Sequence, residues 1–364
     1  MARLGDVCII NPKVPPIDDS MLVSFVPMQR VGEEGEFDPS ELRTYADVKK
    51  GFTYFADADV LFAKITPCME NGKGAIACGM ESGIGFGSTE FHVLRPNKKM
   101  MMGEWLYYLT VCPTFRKEAE RNMTGSAGQK RVPKSFLENY HVNIPVLSEQ
   151  YQQVQVLNNI CALLSLRKQQ LAKLDELVKS RFIELFGDPE QNPRGLPVLP
   201  WNKVFLTTTG KLDSNAMVEN GQYPFFTCAK ESFWIDTYAF DCEALLLAGN
   251  NAAGVYDVKH YKGKFNAYQR TYVLRLIDKQ WSYKLFKRQL EDKLRYLQSQ
   301  SKGTNTRYLT LGILNELRFI VPPVAEQEQF AAFVEQTDKS KLAVQQSLDK
   351  LETLKKALMQ KYFG

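Results

Sequence analysis

The chain has 364 residues, seven cysteines and a net charge of +5, which is room for two domains of ordinary size and a mildly basic surface that permits a polyanionic partner without demonstrating one. An odd cysteine count with no Cys-x-x-Cys pair speaks for a reduced protein, against both a disulfide framework and a zinc site. No apolar run is long enough to span a membrane and the opening Met1 to Asp6 carries no apolar signal core, so a cytoplasmic protein is expected.

Residues 1–147 read as a first mixed α/β domain. Residues 59–65 have strand composition, 70–74 form a turn, and 75–78 begin a second strand. The run 83–87 reads as a glycine-rich bend leading into an alternating strand at 88–95. A helix is expected over 103–122, kinked at Pro113. It is followed by a polar loop at 125–131. Residues 148–187 then predict a long helix, because Leu157, Ile160, Leu164, Leu171, Leu174, Val178 and Leu185 recur at alternating spacings of three and four. At about 1.5 Å per residue it is roughly 55–60 Å long. The stretch 187–195, with Gly187, Pro189 and Pro193, has the composition of a helix stop and a domain boundary.

Residues 188–324 retrace the first domain in a different sequence. Ala244 to Leu247 take the place of Val60 to Phe62, and Thr271 to Arg275 that of Phe91 to Arg95. A helix over 281–298 answers the one at 103–122, and a polar loop at 301–307 the one at 125–131. A second long helix over 325–364 carries Val344, Leu348, Leu351, Leu354 and Leu358 on its stripe. The two long helices are near copies. Gly187 and Gly364 lie 177 residues apart, and that one offset also matches Pro145 to Pro322, Glu149-Gln150 to Glu326-Gln327, Leu171 to Leu348, Leu174 to Leu351 and Phe186 to Phe363. The expected fold is α+β. It has two similar mixed α/β modules joined by two long helices packed as an antiparallel coiled coil, with a pseudo-two-fold internal repeat.

Signatures of chemistry are sparse. Neither Asn11-Pro12-Lys13 nor Asn192-Pro193-Arg194 continues into the Pro-aromatic loop that an amino-methyltransferase needs, and no P-loop is present. Asp47 to Lys49 and Asp257 to Lys259 match Asp-x-Lys, which would serve a nuclease metal site only with a further converging carboxylate. His92, His141 and His260 are isolated, and such histidines are more often structural than catalytic. Cys68 and Cys78 flank a turn and read as reduced thiols.

At this point the chain resembles, over essentially its full length, the specificity subunit of type I restriction-modification systems. The resemblance rests on residues 59–67 (Asp-Val-Leu-Phe-Ala-Lys-Ile-Thr-Pro) and 86–96 (Phe-Gly-Ser-Thr-Glu-Phe-His-Val-Leu-Arg-Pro). It also rests on Ile144-Pro145 with Glu149-Gln150, Val321-Pro322 with Glu326-Gln327, and the Phe-Gly closing each helix. In the second half Asn250 to Gly254 replace the stretch from Lys64 to Met69, a departure from the pattern. The resemblance implies two target-recognition domains, each reading one half of a bipartite target in double-stranded DNA, with the helices setting their separation. It implies docking of two methyltransferase subunits, with restriction and translocase subunits joining, and no catalytic centre or cofactor in this chain. S-adenosylmethionine, ATP and magnesium are then expected on the partner subunits. A methylation-only assembly, a fused enzyme fragment and a coiled-coil scaffold are the alternatives.

Side-chain chemistry nominates the DNA contacts, since Arg, Lys, Asn and Gln read base edges while Lys, Ser and Thr hold phosphates. The first domain offers Lys64, Thr66, Asn71, Lys73, Ser88, Thr89, Ser126, Gln129, Lys130 and Arg131. The second offers Asn250, Asn251, Lys259, Lys262, Lys264, Tyr268, Gln269, Arg270, Lys302, Thr304, Asn305, Thr306 and Arg307.

Overall fold

In a computed structural model of the chain, residues 1–126, 128–252 and 254–364 are described. Ala127 and Ala253, within the 125–131 and 250–254 stretches singled out above, lie outside them. The chain forms two compact units, one of residues 1–168 with 346–364 and the other of residues 169–345.

The first unit is built on an antiparallel four-stranded sheet in the order Cys8–Ile10, Phe91–Pro96, Val60–Ala63, Gly74–Ile76. Every residue of Val60–Ala63 is buried, as expected of a central strand covered on both faces. A second four-stranded sheet runs Leu42–Thr44, Leu22–Val26, Ile84–Gly87, Thr53–Ala56. The glycine-rich run is therefore partly a strand and not only a bend. Gly85 and Gly87 serve closeness, because a Cβ would stand 2.2 Å from the Phe55 ring at the first and 2.1 Å from the Val26 carbonyl at the second. The strand expected at 88–95 begins only at Phe91, and Ser88 to Glu90 form the turn before it.

The helix expected at 103–122 is two helices, Gly103–Val111 and Pro113–Arg121, broken where Pro113 lacks an N–H. Its counterpart is also two, Tyr283–Asp292 and Leu294–Gln300.

The second unit carries a six-stranded sheet in the order Phe205–Thr209, Thr271–Leu276, Phe240–Ala248, Val258–Ala267, Tyr223–Phe226, Phe233–Ile235. Its first four strands repeat the first unit's main sheet down to the register. Val60↔Leu94 through Ala63↔Phe91 in one is Leu245↔Leu274 through Ala248↔Thr271 in the other. Each module is also closed in the same way, its first strand pairing with the strand before a long helix. Ala2–Arg3 pairs with His141–Val142, and Val198–Pro200 with Arg318–Ile320.

The two long helices span Leu147–Phe186 and Val324–Phe363. Each starts in one unit and ends in the other. In the first unit Val154 and Leu157 share a core with Met359 and Phe363; in the second Val178, Phe182 and Phe186 share one with Phe330. Start thus packs on end within each unit, and the helices form an antiparallel coiled coil. Leu157, Leu164, Val178, Val344 and Leu348 are buried, and Leu171, Leu174, Leu185, Leu351 and Leu358 are half-buried. Leu354 is 47% exposed and does not belong to the seam. The three-four spacing from Leu348 and Leu351 passes to Lys355, which is half-buried, and leaves Leu354 one residue off that face.

The repeated Glu-Gln has a structural cause. Gln150 is fully buried, its amide donating to the carbonyls of Met100 and Pro145 (both 2.8 Å) and accepting from the Met102 N–H (2.9 Å). Gln327 does the same in its unit, donating to Pro322 (2.8 Å) and accepting from the Ser282 N–H (3.0 Å). Each glutamine ties the first turn of a long helix to the segment entering the module's own helix. The repeated Phe-Gly has one too. Gly187 adopts φ +77° and its N–H bonds Ile183 as a left-handed helix stop. Phe186 stacks edge-on with Phe182 and Phe330 (5.1 and 5.8 Å between centroids), and Phe363 meets Trp105 at 5.0 Å. Each such ring contributes about 1.5–3 kcal/mol by leaving water.

Candidate nucleic-acid interface

In each unit the central strand, the strand beside it and the polar loop before the long helix meet at one edge, held by the same backbone hydrogen bonds. In the first unit the Lys64 N–H donates to the Glu90 carbonyl (2.9 Å), the Val132 N–H to that of Lys64 (2.9 Å), and Thr124 and Arg131 exchange bonds of 2.9 and 2.8 Å. In the second, Gly249 donates to Arg270 (2.8 Å), Leu309 to Gly249 (2.8 Å), and Lys302 and Tyr308 exchange bonds of 3.1 and 2.8 Å. Position by position, Lys64 answers to Gly249, Glu90 to Arg270, Thr124 to Lys302, and Arg131 to Tyr308.

Around this edge the first unit gathers Lys64, Thr66, Ser88, Thr89, Ser126, Gln129, Lys130 and Arg131. Thr66 follows on from Lys64, and its N–H bonds the Lys130 carbonyl (3.1 Å). Thr89, Ser126, Gln129 and Lys130 are exposed. The side chain of Arg131 forks onto the Glu90 carboxylate, with contacts of 2.8 and 2.9 Å. The guanidinium holds the Glu90 carboxyl below its ordinary range. Asn71 is exposed on the turn after Met69. Lys73 is not brought to the edge, because its amine donates to the Met28 carbonyl inside the module (3.2 Å).

In the second unit the edge gathers Asn250, Asn251, Arg270, Lys302, Thr304, Asn305, Thr306 and Arg307. Asn250 and Asn251 pair with Tyr308 and Arg307 as a short ladder. Tyr268 and Gln269 lead into it, the latter donating to Asp213 at 2.5 Å. Lys259 lies one strand away and braces the adjoining loop, donating to the Ala229 and Glu231 carbonyls (2.6 and 3.3 Å); burial lowers its pKa. Lys262 and Lys264 are not brought to the edge. They pair across the hairpin with Glu243 and Asp241, about 16 Å or more from Ala248 at the usual strand rise. Lys262 ion-pairs with Glu243 (3.2 Å), and the Lys264 ammonium lies over the Tyr238 ring.

Three contributors are absent from the residues nominated on sequence. Glu90 sits within the quoted 86–96 motif and is visible there as an acid among Ser and Thr. Tyr308 closes the second polar loop. Arg116 is buried and donates to the carbonyls of Thr110, Met69 (2.6 Å), Gly72 (3.2 Å) and Lys73 (3.4 Å), fixing the turn that carries Asn71. Burial lowers its pKa to about 10, so it stays charged at neutral pH. A lone arginine in an amphipathic helix gives no sequence signal for such a role.

The other sequence candidates are not assembled into a site. Asp47 accepts from the Thr44 hydroxyl (2.5 Å), and the Asp257 carbonyl accepts from the Ala248 N–H. Among the described residues no three His, Cys, Asp or Glu side chains converge as metal ligands. His92 bonds the Val132 carbonyl through Nε2 (2.8 Å) and meets the Asn11 amide through Nδ1 (3.2 Å); His260 meets Glu243 (2.9 Å). All seven cysteines are free. No helix among the described residues is long and apolar enough to cross a membrane.

Two copies of one α/β module, each with a polar loop edge and each packed on the start of one long helix and the end of the other, define a protein built from an internal repeat. The type I restriction modification DNA specificity domain model matches residues 1–176 and 203–353, and the chain belongs to that family. It is 44% identical over 176 residues to the type I restriction enzyme EcoAI specificity subunit of Escherichia coli, a match covering 47% of this chain and 30% of that one. To the EcoEI specificity subunit of the same organism it is 41% identical over 175 residues, covering 47% and 29%. The chain thus spans about a third of the length of the curated relatives it matches. Among solved structures, the type I system S subunit from M. genitalium overlays with a TM-score of 0.64 at 13% identity, covering all of this chain and 95% of that one. A chain from a study of assembly and conformational transition in a type I R-M system gives 0.56 at 19%, covering 100% and 96%. These overlays support the shared fold.

Proposed function

We propose that this chain is the sequence-reading subunit of a type I restriction-modification assembly. In it each module binds one half of a split double-stranded DNA target and the coiled coil sets the separation. The observation that carries this is the recurrence of one rigid backbone frame in both units with different side chains on its exposed edge. A protein reading two unrelated half-sites needs a fixed frame and a variable edge. Lys130, Gln129, Arg307 and Asn305 are exposed on loops whose roots are pinned by backbone bonds, and they carry the donors and charges that base edges and phosphates accept, which supports the reading.

In this reading the chain carries no catalytic centre. Methyl transfer, with S-adenosylmethionine, belongs to two methyltransferase subunits docked on the long helices. DNA cleavage, with ATP and magnesium, belongs to restriction and translocase subunits of a cytoplasmic complex. The test is base-resolution methylation mapping in cells with the cognate methyltransferase, with and without this chain. A split motif that vanishes with the chain supports the proposal. An active, bound methyltransferase with no chain-dependent motif would favour a scaffold. Lengthening both helices by one matched heptad tests the separation: the gap between the halves changes and each half stays the same.

A further inference from the structure

Glu90 and Arg270 occupy the same backbone position in the two units, each offering its carbonyl to the N–H of the residue that ends the central strand. Their side chains differ in sign and in freedom. Glu90 is held by Arg131, whereas the residue at Arg131's place in the second unit is Tyr308, so Arg270 has no equivalent partner. The Arg270 side chain is exposed, and among the described residues no ion pair or side-chain hydrogen bond engages it. Its backbone, in contrast, is fixed. The carbonyl accepts from the Gly249 N–H at 2.8 Å and from the Cys228 thiol at 3.4 Å, and the next residue, Thr271, is buried and bonded to Phe226. Gly249 permits this approach, since a Cβ there would lie 2.3 Å from the Arg270 carbonyl oxygen. The result is an unpaired guanidinium on a rigid root at the centre of the polar edge.

Phosphates are uniformly anionic, so a position that served only to grip them would be cationic in both units. Base edges present donors at some pairs and acceptors at others. In the first unit the Glu90 carboxylate is occupied by Arg131, so only the second copy of the frame presents a free charge at this position, and a cation found in one unit alone suits a base edge peculiar to one half-site better than a grip on phosphates common to both. From these observations we propose that Arg270 is a specificity-determining residue of the second unit. Its two-pronged guanidinium reads the O6 and N7 acceptors of a guanine in the major groove of the half-site that this unit binds. The proposal rests on the DNA-reading function above and assigns a base to one residue of it.

The test is methylation mapping with the full chain as wild type, Arg270→Ala and Arg270→Lys, each with its methyltransferase. The wild-type arm tests the reading itself, because a chain-dependent split motif must appear there. Given that motif, Arg270→Ala is expected to relax the preference at a single guanine in one half by about tenfold or more, leaving the other half unchanged. Arg270→Lys, which keeps the charge and loses the planar fork, is expected to relax it as well. The proposal is overturned if Arg270→Ala lowers methylation evenly with the motif intact while Arg270→Lys restores it, which is the behaviour of a phosphate clamp. An unchanged motif in both variants overturns it too. Because the side chain is exposed, both variants are expected to keep the wild-type melting curve, and that measurement separates a lost base contact from misfolding.

Discussion

The two units share a frame and are reinforced differently. In the first, ion pairs and a buried cation do the bracing. Asp59 is buried and grips Arg95 through two bonds of 2.7 Å, Arg116 gathers the carbonyls of a turn, and Glu90 holds Arg131. In the second, Ala244 stands at the Asp59 position opposite Arg275, and the Glu90 and Arg131 positions hold Arg270 and Tyr308. At these positions the second unit has no such ion pair among the described residues, and the frame is held by backbone pairing, with a hairpin of Phe240–Ala248 against Val258–Ala267 inside a six-stranded sheet; its ion pairs, such as Lys262 with Glu243, lie elsewhere. A frame fixed by main-chain bonds and apolar strands tolerates either solution, so its exposed edge is free to differ in charge.

The largest expected effect breaks that comparison at Arg116. Replacing it with alanine strands several buried carbonyls and should cost the first unit about 3–5 kcal/mol, with hydrogen exchange in the second unit unchanged. Equal loss of protection in both units would show that they do not unfold separately. Next come the paired glutamines. Gln150→Ala and Gln327→Ala should each cost about 2–3 kcal/mol, from unsatisfied amide and carbonyl groups at the root of a helix. Each loss should appear first in its own unit in denaturant titrations followed by exchange.

A pH effect sharpens the contrast. His92 is buried with both ring nitrogens engaged in the neutral form, and burial lowers its pKa below the ordinary value. The unfolded chain binds the proton more readily, so this contribution is whole above about pH 6.5 and is lost as pH falls through the lower folded value. Acidification from pH 7 to 5 should weaken protection in the first unit, and His92→Gln should flatten that slope. If the slope survives the substitution, other groups set it. The smallest effect is at the seam. Leu354→Gln should stay within about 0.5 kcal/mol, whereas Leu348→Ala should cost about 2–3 kcal/mol, as read from melting in urea.

Much of this is legible in the amino-acid sequence, for physical reasons. The three-four spacing and the 177-residue offset report a helix face that must be apolar, and Val344 and Leu348 lie on it. Leu354 carries a seam residue's chemistry but stands one position beside the seam, which Lys355 occupies. Gly85 and Gly87 hid a strand, since close approach to Phe55 and Val26 requires the residues that usually signal a bend. The repeated Gln150 and Gln327 are visible as a pattern, but their bonds reach back 48 and 45 positions. The polar loops could be nominated from composition. That Lys73 turns inward follows from its bond to the Met28 carbonyl, 45 positions away, and that Lys262 and Lys264 lie along a hairpin away from the edge follows from strand register.

In the proposed function each unit reads its own half of a split target. The most direct measurement of this is methylation mapping after residues 188–324 are replaced by the matching module of a relative with a different motif. The account predicts that one half of the motif changes to that of the donor while the other half is retained. A motif altered in both halves, or unaltered by an exchange that leaves the chain folded and bound to its methyltransferase, would contradict it.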